Sequence, residues 1–253
     1  MLLPLLFLAA AQTVSITAER IGTEPVLNPG PTWSQTGAFN PAVVHNQSKT
    51  VMLFRATDSK MTSRIGYAES KDGFTFIMHG SPVLQPEAEY EKDGGVEDPR
   101  LVLIENLFYL TYTAYNRKDA QLCLATSPDM IHWTRKGIML PAYKGTWNTK
   151  WTKSGAIVPS KINGLWWMYY LGTRTDPDGK ERDYMGLANS PDLEHWTDAT
   201  VAPVLARRPG AFDSRVMEPG PAPIVTSAGI LVLYNGASED LIYGPAWALF
   251  DKT

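Results

Sequence analysis

The stretch GGVEDPRL, residues 94–101, sets Glu97, Asp98 and Arg100 among glycine and proline, directly before the apolar run LVLIENLFYLTY. Charge at the mouth of a buried strand is costly unless it is paired or used. A second carboxylate in a comparable setting, Glu218 in VMEPGP, follows 120 residues later. Two carboxyl groups facing each other across a pocket are the minimum for hydrolysing a glycosidic bond. One, protonated, donates to the leaving oxygen; the other, ionised, activates a water, and about 6.5–9.5 Å between them leaves room for it. Arg55, Arg64, Arg100 and Lys153 supply cations that would hold one carboxylate ionised and bond sugar hydroxyls. Taken alone, EDPR also fits a plain strand-start turn with a local ion pair.

Composition narrows the classes of function. The net charge is −3 and charged residues make up 19%, so no polyanion is an expected partner and nucleic-acid binding is not indicated. Eight Trp and eleven Tyr favour strands and give flat platforms for sugars, while 19 Pro and 20 Gly imply many turns and few long helices. Cys123 is the single cysteine, which excludes an intramolecular disulfide, and its apolar setting LCLATS argues against thiol chemistry. The four His make no metal-site spacing; His132 and His195 each sit in an HW pair at matching positions, a structural signature. No metal or other cofactor is expected. Residues 1–12, within MLLPLLFLAAAQT, read as a signal-like segment with an A-x-A-like end near Ala9–Ala11. Export to a periplasmic or extracellular location is the expectation, with a cytoplasmic one if the segment is not a signal. The segment is too short to span a membrane, so no stable insertion is expected. Nothing in the sequence specifies an oligomer.

The chain repeats itself. IGYAESKDGFTF (65–76), LCLATSPDMIHW (122–133) and MGLANSPDLEHW (185–196) are near copies, with Trp133 and Trp196 63 residues apart, and WALFDKT looks like the start of a fourth. Each copy follows an apolar, aromatic strand: VMLFRAT, LFYLTYTAY, LWWMYYLGT and ILVLYNGAS. Each of those follows a strand that begins at Pro or Gly: FNPAVV, EDPRLVLI, KSGAIVPS and EPGPAPIV. Short strands in units of about 60 residues are the pattern of an all-β propeller, expected as a single domain over 13–253. Asp72, Asp129 and Asp192 in the recurring SxD turn would accept backbone N–H bonds. EPVLNP (24–29) reads as a closing strand that supplies the outermost strand of the last blade, which would make a ring of four; an arc missing one blade fits the same pieces.

The repeats act as an internal control: what recurs is scaffold, and what differs at equivalent positions is a candidate for chemistry. The four strand starts carry Asn40, then Glu97 and Asp98, then Lys153 and Ser154, then Glu218, different polar residues aimed at one axis.

FNPAVV, LFRATD, SRIGYAESKDGFTF, GVEDPRL, KSGAI, EPGPAPI, LYNGAS and WALFDKT together resemble glycoside hydrolase family 130, the β-mannoside phosphorylases and β-1,2-mannosidases. The resemblance implies a five-bladed β-propeller, here cut to about four blades with the C-terminal one missing. It implies an inverting glycosidase acting on β-mannosides, with Asp98 as proton donor and no cofactor. The partner is then a β-mannoside oligosaccharide, the β-1,2-linked type being the leading expectation. Phosphorylases of the family line the far side of the pocket with cations, including a YHG stretch where this chain has Tyr234, Asn235 and Gly236. The hydrolases place glutamates there instead, and Glu218 matches the first of these, so the resemblance leans towards hydrolysis. A phosphorylase releasing mannose 1-phosphate is the alternative, and a non-catalytic carbohydrate-binding propeller is the alternative of another class. Asn40, Arg55, Asp58 and Arg64 on the first unit, Arg100 and Tyr115 on the second, and Lys153 on the third match substrate-facing stretches. Asp213 and Arg215 are expected to pair with each other and position Glu218.

Overall fold

The computed structural model describes residues 16–17, 19–143 and 147–252, so the signal-like reading of 1–12 lies outside the described residues. The strands fall into four successive units. The first holds β1 (Gly37–Asn46), β2 (Lys49–Thr57), β3 (Ser63–Ser70) and β4 (Ile77–Met78); the second β5 (Gly95–Ile104), β6 (Leu107–Tyr115), β7 (Ala120–Ser127) and β8 (Thr134–Leu140). The third holds β9 (Thr152–Ile157), β10 (Trp166–Thr175), β11 (Glu181–Ser190) and β12 (Thr197–Asp198). In the fourth, β13 (Val216–Pro219) and β14 (Ile224–Thr226) are two halves of one inner strand, both pairing with β15 (Gly229–Ala237), which pairs with β16 (Tyr243–Phe250). Within each unit the pairing is antiparallel from the inner strand outwards, the all-β propeller arrangement that the repeats predict.

Neighbouring units touch through single parallel bridges, Ser63 to Gly95 and Asp183 to Val216. Gly95 is required at its bridge: its φ is +109°, and a Cβ there would stand 2.1 Å from the Ser63 carbonyl oxygen. β6 and β10 are covered on both faces by adjacent units, and β2 by the second unit on one face and by Leu27 and Trp33 on the other, which is why all three read as continuous apolar runs rather than alternating ones. One core cluster joins the first two units around Leu53, Ile65, Leu110 and Tyr112; a larger one joins the second, third and fourth around Leu124, Met168, Tyr170, Tyr184 and Val232. Burying each such side chain contributes about 1.5–3 kcal/mol. Tyr112 does so without stranding its hydroxyl, which donates to buried Glu91 at 2.8 Å.

The SxD turns form as read. Asp72 Oδ1 accepts from the N–H groups of Phe74 and Thr75, Asp129 Oδ1 from Ile131 and His132, and Asp192 Oδ1 from Glu194 and His195. The two histidines pair through Nδ1 with the same aspartates at 2.7 Å, a turn-holding role. Cys123 is buried, and burial pushes its thiol up to about 12.

The closing-strand expectation for EPVLNP is corrected. Residues 24–29 pair with no strand; Leu27 packs with Trp33 against Met52 and Phe54 of the first unit, ahead of a 3-10 turn at Thr32–Ser34. Pro25 and Pro29 have no N–H to give a ladder, and the side of the first unit offers Leu27 an apolar seat. The outer face of the fourth unit stays bare: Tyr243, Pro245, Trp247 and Leu249 are exposed along β16, alternating with half-covered neighbours.

The inner strands share an irregularity. Asn40, Asp98 and Ser154 have φ of 51°, 50° and 50°, and each is followed by Pro41, Pro99 or Gly155. Register slips there, between Phe39 and Ala42, between Glu97 and Arg100, and opposite Tyr169 and Leu171. A left-handed non-glycine residue costs roughly 1–2 kcal/mol; such strain concentrates at working sites.

Candidate active site

A cavity of about 810 Å³ opens where the four inner strands converge, and Asn40, Arg55, Asp98, Arg100, Lys153 and Glu218 all line it. Asp98 is brought to the wall by its bulge. Its Oδ1 accepts from Asn40 Nδ2 at 2.7 Å and from Arg55 Nη1 at 3.2 Å. Glu218 is held from two other units: Oε1 accepts from Arg100 Nη2 at 2.9 Å and from Ser154 Oγ at 2.6 Å. For both acids the second carboxyl oxygen has no hydrogen bond to protein among the described residues, so each is anchored by one oxygen and offers the other.

Arg100 lines the cavity and also ties one side of the channel to the other. Only 6% exposed, it also donates from Nε to the Pro219 carbonyl at 3.0 Å and from Nη1 to the Pro99 carbonyl at 3.1 Å. Lys153 makes no ion pair among the described residues; its ammonium lies 4.9 Å from the centre of the Trp151 ring.

The structure separates three expected site residues from this cavity. Asp58 and Arg64 pair with each other at 2.8 Å and line a different hollow beside Trp33 and Gln85. The Asp58 carboxyl is held below the ordinary carboxylate range: burial raises it, but Arg64 and the N–H groups of Thr62 and Lys60 outweigh that. Tyr115 bonds the Arg117 carbonyl and meets the Trp151 ring edge-on, outside the cavity wall. The Asp213–Arg215 pairing is also corrected. Asp213 takes Arg208 at 2.8 Å and the Tyr234 hydroxyl at 2.9 Å, while Arg215 donates to the Glu239 carbonyl. Arg208 reaches back over its own loop, and Arg215 sits where the parallel bridge to β11 turns it elsewhere. A second cavity of about 810 Å³ lies over the fourth unit beside Phe212 and Trp247, where Arg208 and Asp213 bond each other.

Asp183 is the residue that sequence reasoning missed. It lines the cavity from β11, its Oδ1 accepting from Thr173 Oγ1. Burial holds its carboxyl above the ordinary range, against the pull of that hydroxyl and of Lys153 and Arg215. The signal was available: cross-strand register makes Ser63, Ala120, Asp183 and Tyr243 equivalent, and the carboxylate stands alone in that set. Tyr243, though exposed at one side, also lines this cavity, and its hydroxyl is raised by partial desolvation and then by the charges of Glu218, Asp183 and Asp98. Among the described residues no group of His, Cys, Asp and Glu is placed to hold a metal ion, and no helix is long and apolar enough to cross a membrane.

Two carboxylates, each anchored through one oxygen, line the cavity where the inner strands of this propeller converge, the residue types that glycan cleavage requires. A family model described as beta-1,4-mannooligosaccharide phosphorylase matches residues 12–253, and the chain belongs to glycoside hydrolase family 130. It is 33% identical over 248 residues to a 1,2-beta-oligomannan phosphorylase of Thermoanaerobacter sp. strain X514, covering 93% of this chain and 77% of that protein. A structure solved in work on family-130 glycoside hydrolases that target β-1,2 mannosidic linkages in Candida mannan superposes with a TM-score of 0.80 at 32% identity, over 91% of this chain and 75% of that one. The Listeria innocua β-1,2-mannobiose phosphorylase in complex with β-1,2-mannobiose superposes with a TM-score of 0.73 at 25% identity, over 85% and 72%.

Proposed function

We propose that the protein cleaves β-1,2-mannosidic bonds by hydrolysis with inversion. The observation that carries this reading is the state of the cavity's cations. Arg55 is engaged by Glu97 and Asp98, and Arg100 by Glu218, so the charge of each guanidinium is already balanced by protein carboxylates. Glu218 itself would repel phosphate and suits a water. In the reaction, the Asp98 carboxyl donates its proton to the leaving oxygen as the bond from that oxygen to the anomeric carbon breaks. Water attacks the same carbon from the opposite face, and Glu218 takes the proton it loses.

Phosphorolysis is the second reading. It is favoured by the phosphorylase activities of the curated relatives and by Lys153, a cavity cation without an ion pair among the described residues. Incubation with β-1,2-mannobiose, with and without phosphate, separates the two: mannose alone supports hydrolysis, and mannose 1-phosphate formation overturns it. The resemblance and the bare face of the fourth unit favour a further blade against β16 in the active protein. Turnover by the 253-residue chain equal to that of a chain extended by one blade would refute this. Export by way of residues 1–12 is proposed on composition, and processing of the N-terminus in a secreting host tests it.

A further inference from the structure

Arg55 stands between two carboxylates. Its Nη2 donates to Glu97 Oε1 at 2.7 Å, its Nη1 to Asp98 Oδ1 at 3.2 Å, and its Nε to Ser63 Oγ at 3.0 Å. Ser63 Oγ in turn donates a hydrogen bond to the same Glu97 oxygen at 2.9 Å. Glu97 is 5% exposed and does not line the cavity, whereas Asp98 does. What Glu97 touches is not a substrate but the cation that touches the acid.

An arginine beside a lone aspartate favours the ionised acid by about one to three pH units, which is wrong for a group that must arrive carrying a proton. Here one guanidinium faces two acids, and a single positive charge compensates only one of them. The shorter contact, 2.7 Å against 3.2 Å, goes to Glu97, which takes the larger share of the guanidinium. Burial and the Asp98 charge raise the Glu97 carboxyl, with Arg55 and Lys153 opposing; the 2.7 Å contact to Arg55 and the hydrogen bond from Ser63 are what favour its ionised form. The other charged groups facing the pair are committed or indirect. Arg100 and Glu218 bond each other, Asp183 looks in from β11, and Tyr243 from β16.

We propose that Glu97 is a positioning residue that takes up the charge of Arg55 and so leaves Asp98 able to carry and donate a proton. The inference rests on Asp98 as the acid of the reaction proposed above. Once the proton has left, Arg55 and Asn40 are already bonded to Oδ1 and receive the new carboxylate without rearrangement.

Glu97→Gln keeps the shape and an acceptor for Arg55 and Ser63 while removing the charge. The test follows kcat and KM for β-1,2-mannobiose from about pH 4 to pH 9. For Glu97→Gln the alkaline limb of kcat should move about one to three pH units lower. Activity near neutrality should fall about tenfold or more and return at low pH, with KM held. Glu97→Asp, which restores the charge, should keep the wild-type limb. Arg55→Gln is the opposite perturbation and should move the limb upward; it reads the same balance if Glu97→Gln does not fold. A profile lowered equally at every pH, an Asp variant that shifts like the Gln variant, or an Arg55→Gln limb that does not rise would overturn the inference. If the wild-type protein cleaves no β-1,2-mannobiose with or without phosphate, the functional reading fails separately. Carboxyl-carbon NMR titration of the wild-type and Glu97→Gln proteins then decides: a proton lost from Asp98 at lower pH in the variant supports the role of Glu97, and superimposable titrations refute it.

Discussion

Replacing Arg100 by methionine removes a side chain that ties the inner strand of the second unit to that of the fourth. Three bonds go at once, to Glu218 Oε1 and to the carbonyls of Pro219 and Pro99. The Arg100 and Glu218 side chains are 6% and 14% exposed, so the abandoned carboxylate regains little water. Breaking a buried pair by deleting one partner costs about 3–5 kcal/mol. Ser154 still donates to the same oxygen, which places the expected loss near the lower end, about 3 kcal/mol, with roughly 1 kcal/mol more for the orphaned carbonyls. Urea denaturation of Arg100→Met, Glu218→Gln and the double variant completes a cycle, in which the pairwise term should be about 1–3 kcal/mol. Arg100→Lys should rescue only part of the loss, since an ammonium does not reproduce the planar three-way fork. An Arg100→Met protein within about 0.5 kcal/mol of wild type, or a coupling near zero, would refute the view of Arg100 as a cross-channel tie.

Ser154→Gly should be more stable than Ser154→Ala by roughly 1 kcal/mol, because both lose the bond to Glu218 but only glycine relieves a φ of 50°; equal denaturation midpoints would remove the strain argument. Asp183→Ala should raise KM for mannobiose more than it lowers kcat, with Asp183→Asn intermediate, measured by steady-state kinetics, if the carboxyl that faces the cavity holds a sugar hydroxyl. The turn aspartates Asp72, Asp129 and Asp192 are held well below the ordinary carboxylate range by the N–H groups they accept, from Thr75, from His132 (through its side chain as well) and from His195 respectively. A depressed acid stabilises the fold above its unfolded value, about 3.9, and that contribution is lost as pH falls below it. Replacing all three by Asn should therefore flatten the decline in melting temperature below about pH 4, and an unchanged decline would assign it to other carboxylates.

What was legible in the sequence is what depends on short-range chemistry. The SxD turns close on their own backbone within three residues, so a serine and an aspartate at that spacing suffice to read them. The strand starts announce themselves through Pro41, Pro99 and Gly155, and their differing polar residues converge on the cavity as the repeat comparison implies. What was not legible depends on which way a side chain leaves its strand. Arg64 and Arg55 are nine residues apart on paired strands, yet one turns to Asp58 and the other to Asp98. Asp213 had an arginine on either side and chose the one across the loop. EPVLNP has the composition of a strand, but its prolines and the waiting apolar surface of the first unit decide against pairing.

The slip in the inner strands has a consequence for how such a molecule changes over time. At Asn40, Asp98 and Ser154 the strand breaks step, so the residues before the slip and those after it answer to different surroundings. Upstream, side chains keep time with the channel; downstream, Ala42, Leu101 and Ile157 keep time with the packed interior. A substitution on the channel side does not oblige its neighbours in the interior to move. The two halves of one strand can thus drift at separate rates, and the same framework can trade one reaction for another while its interior stays put.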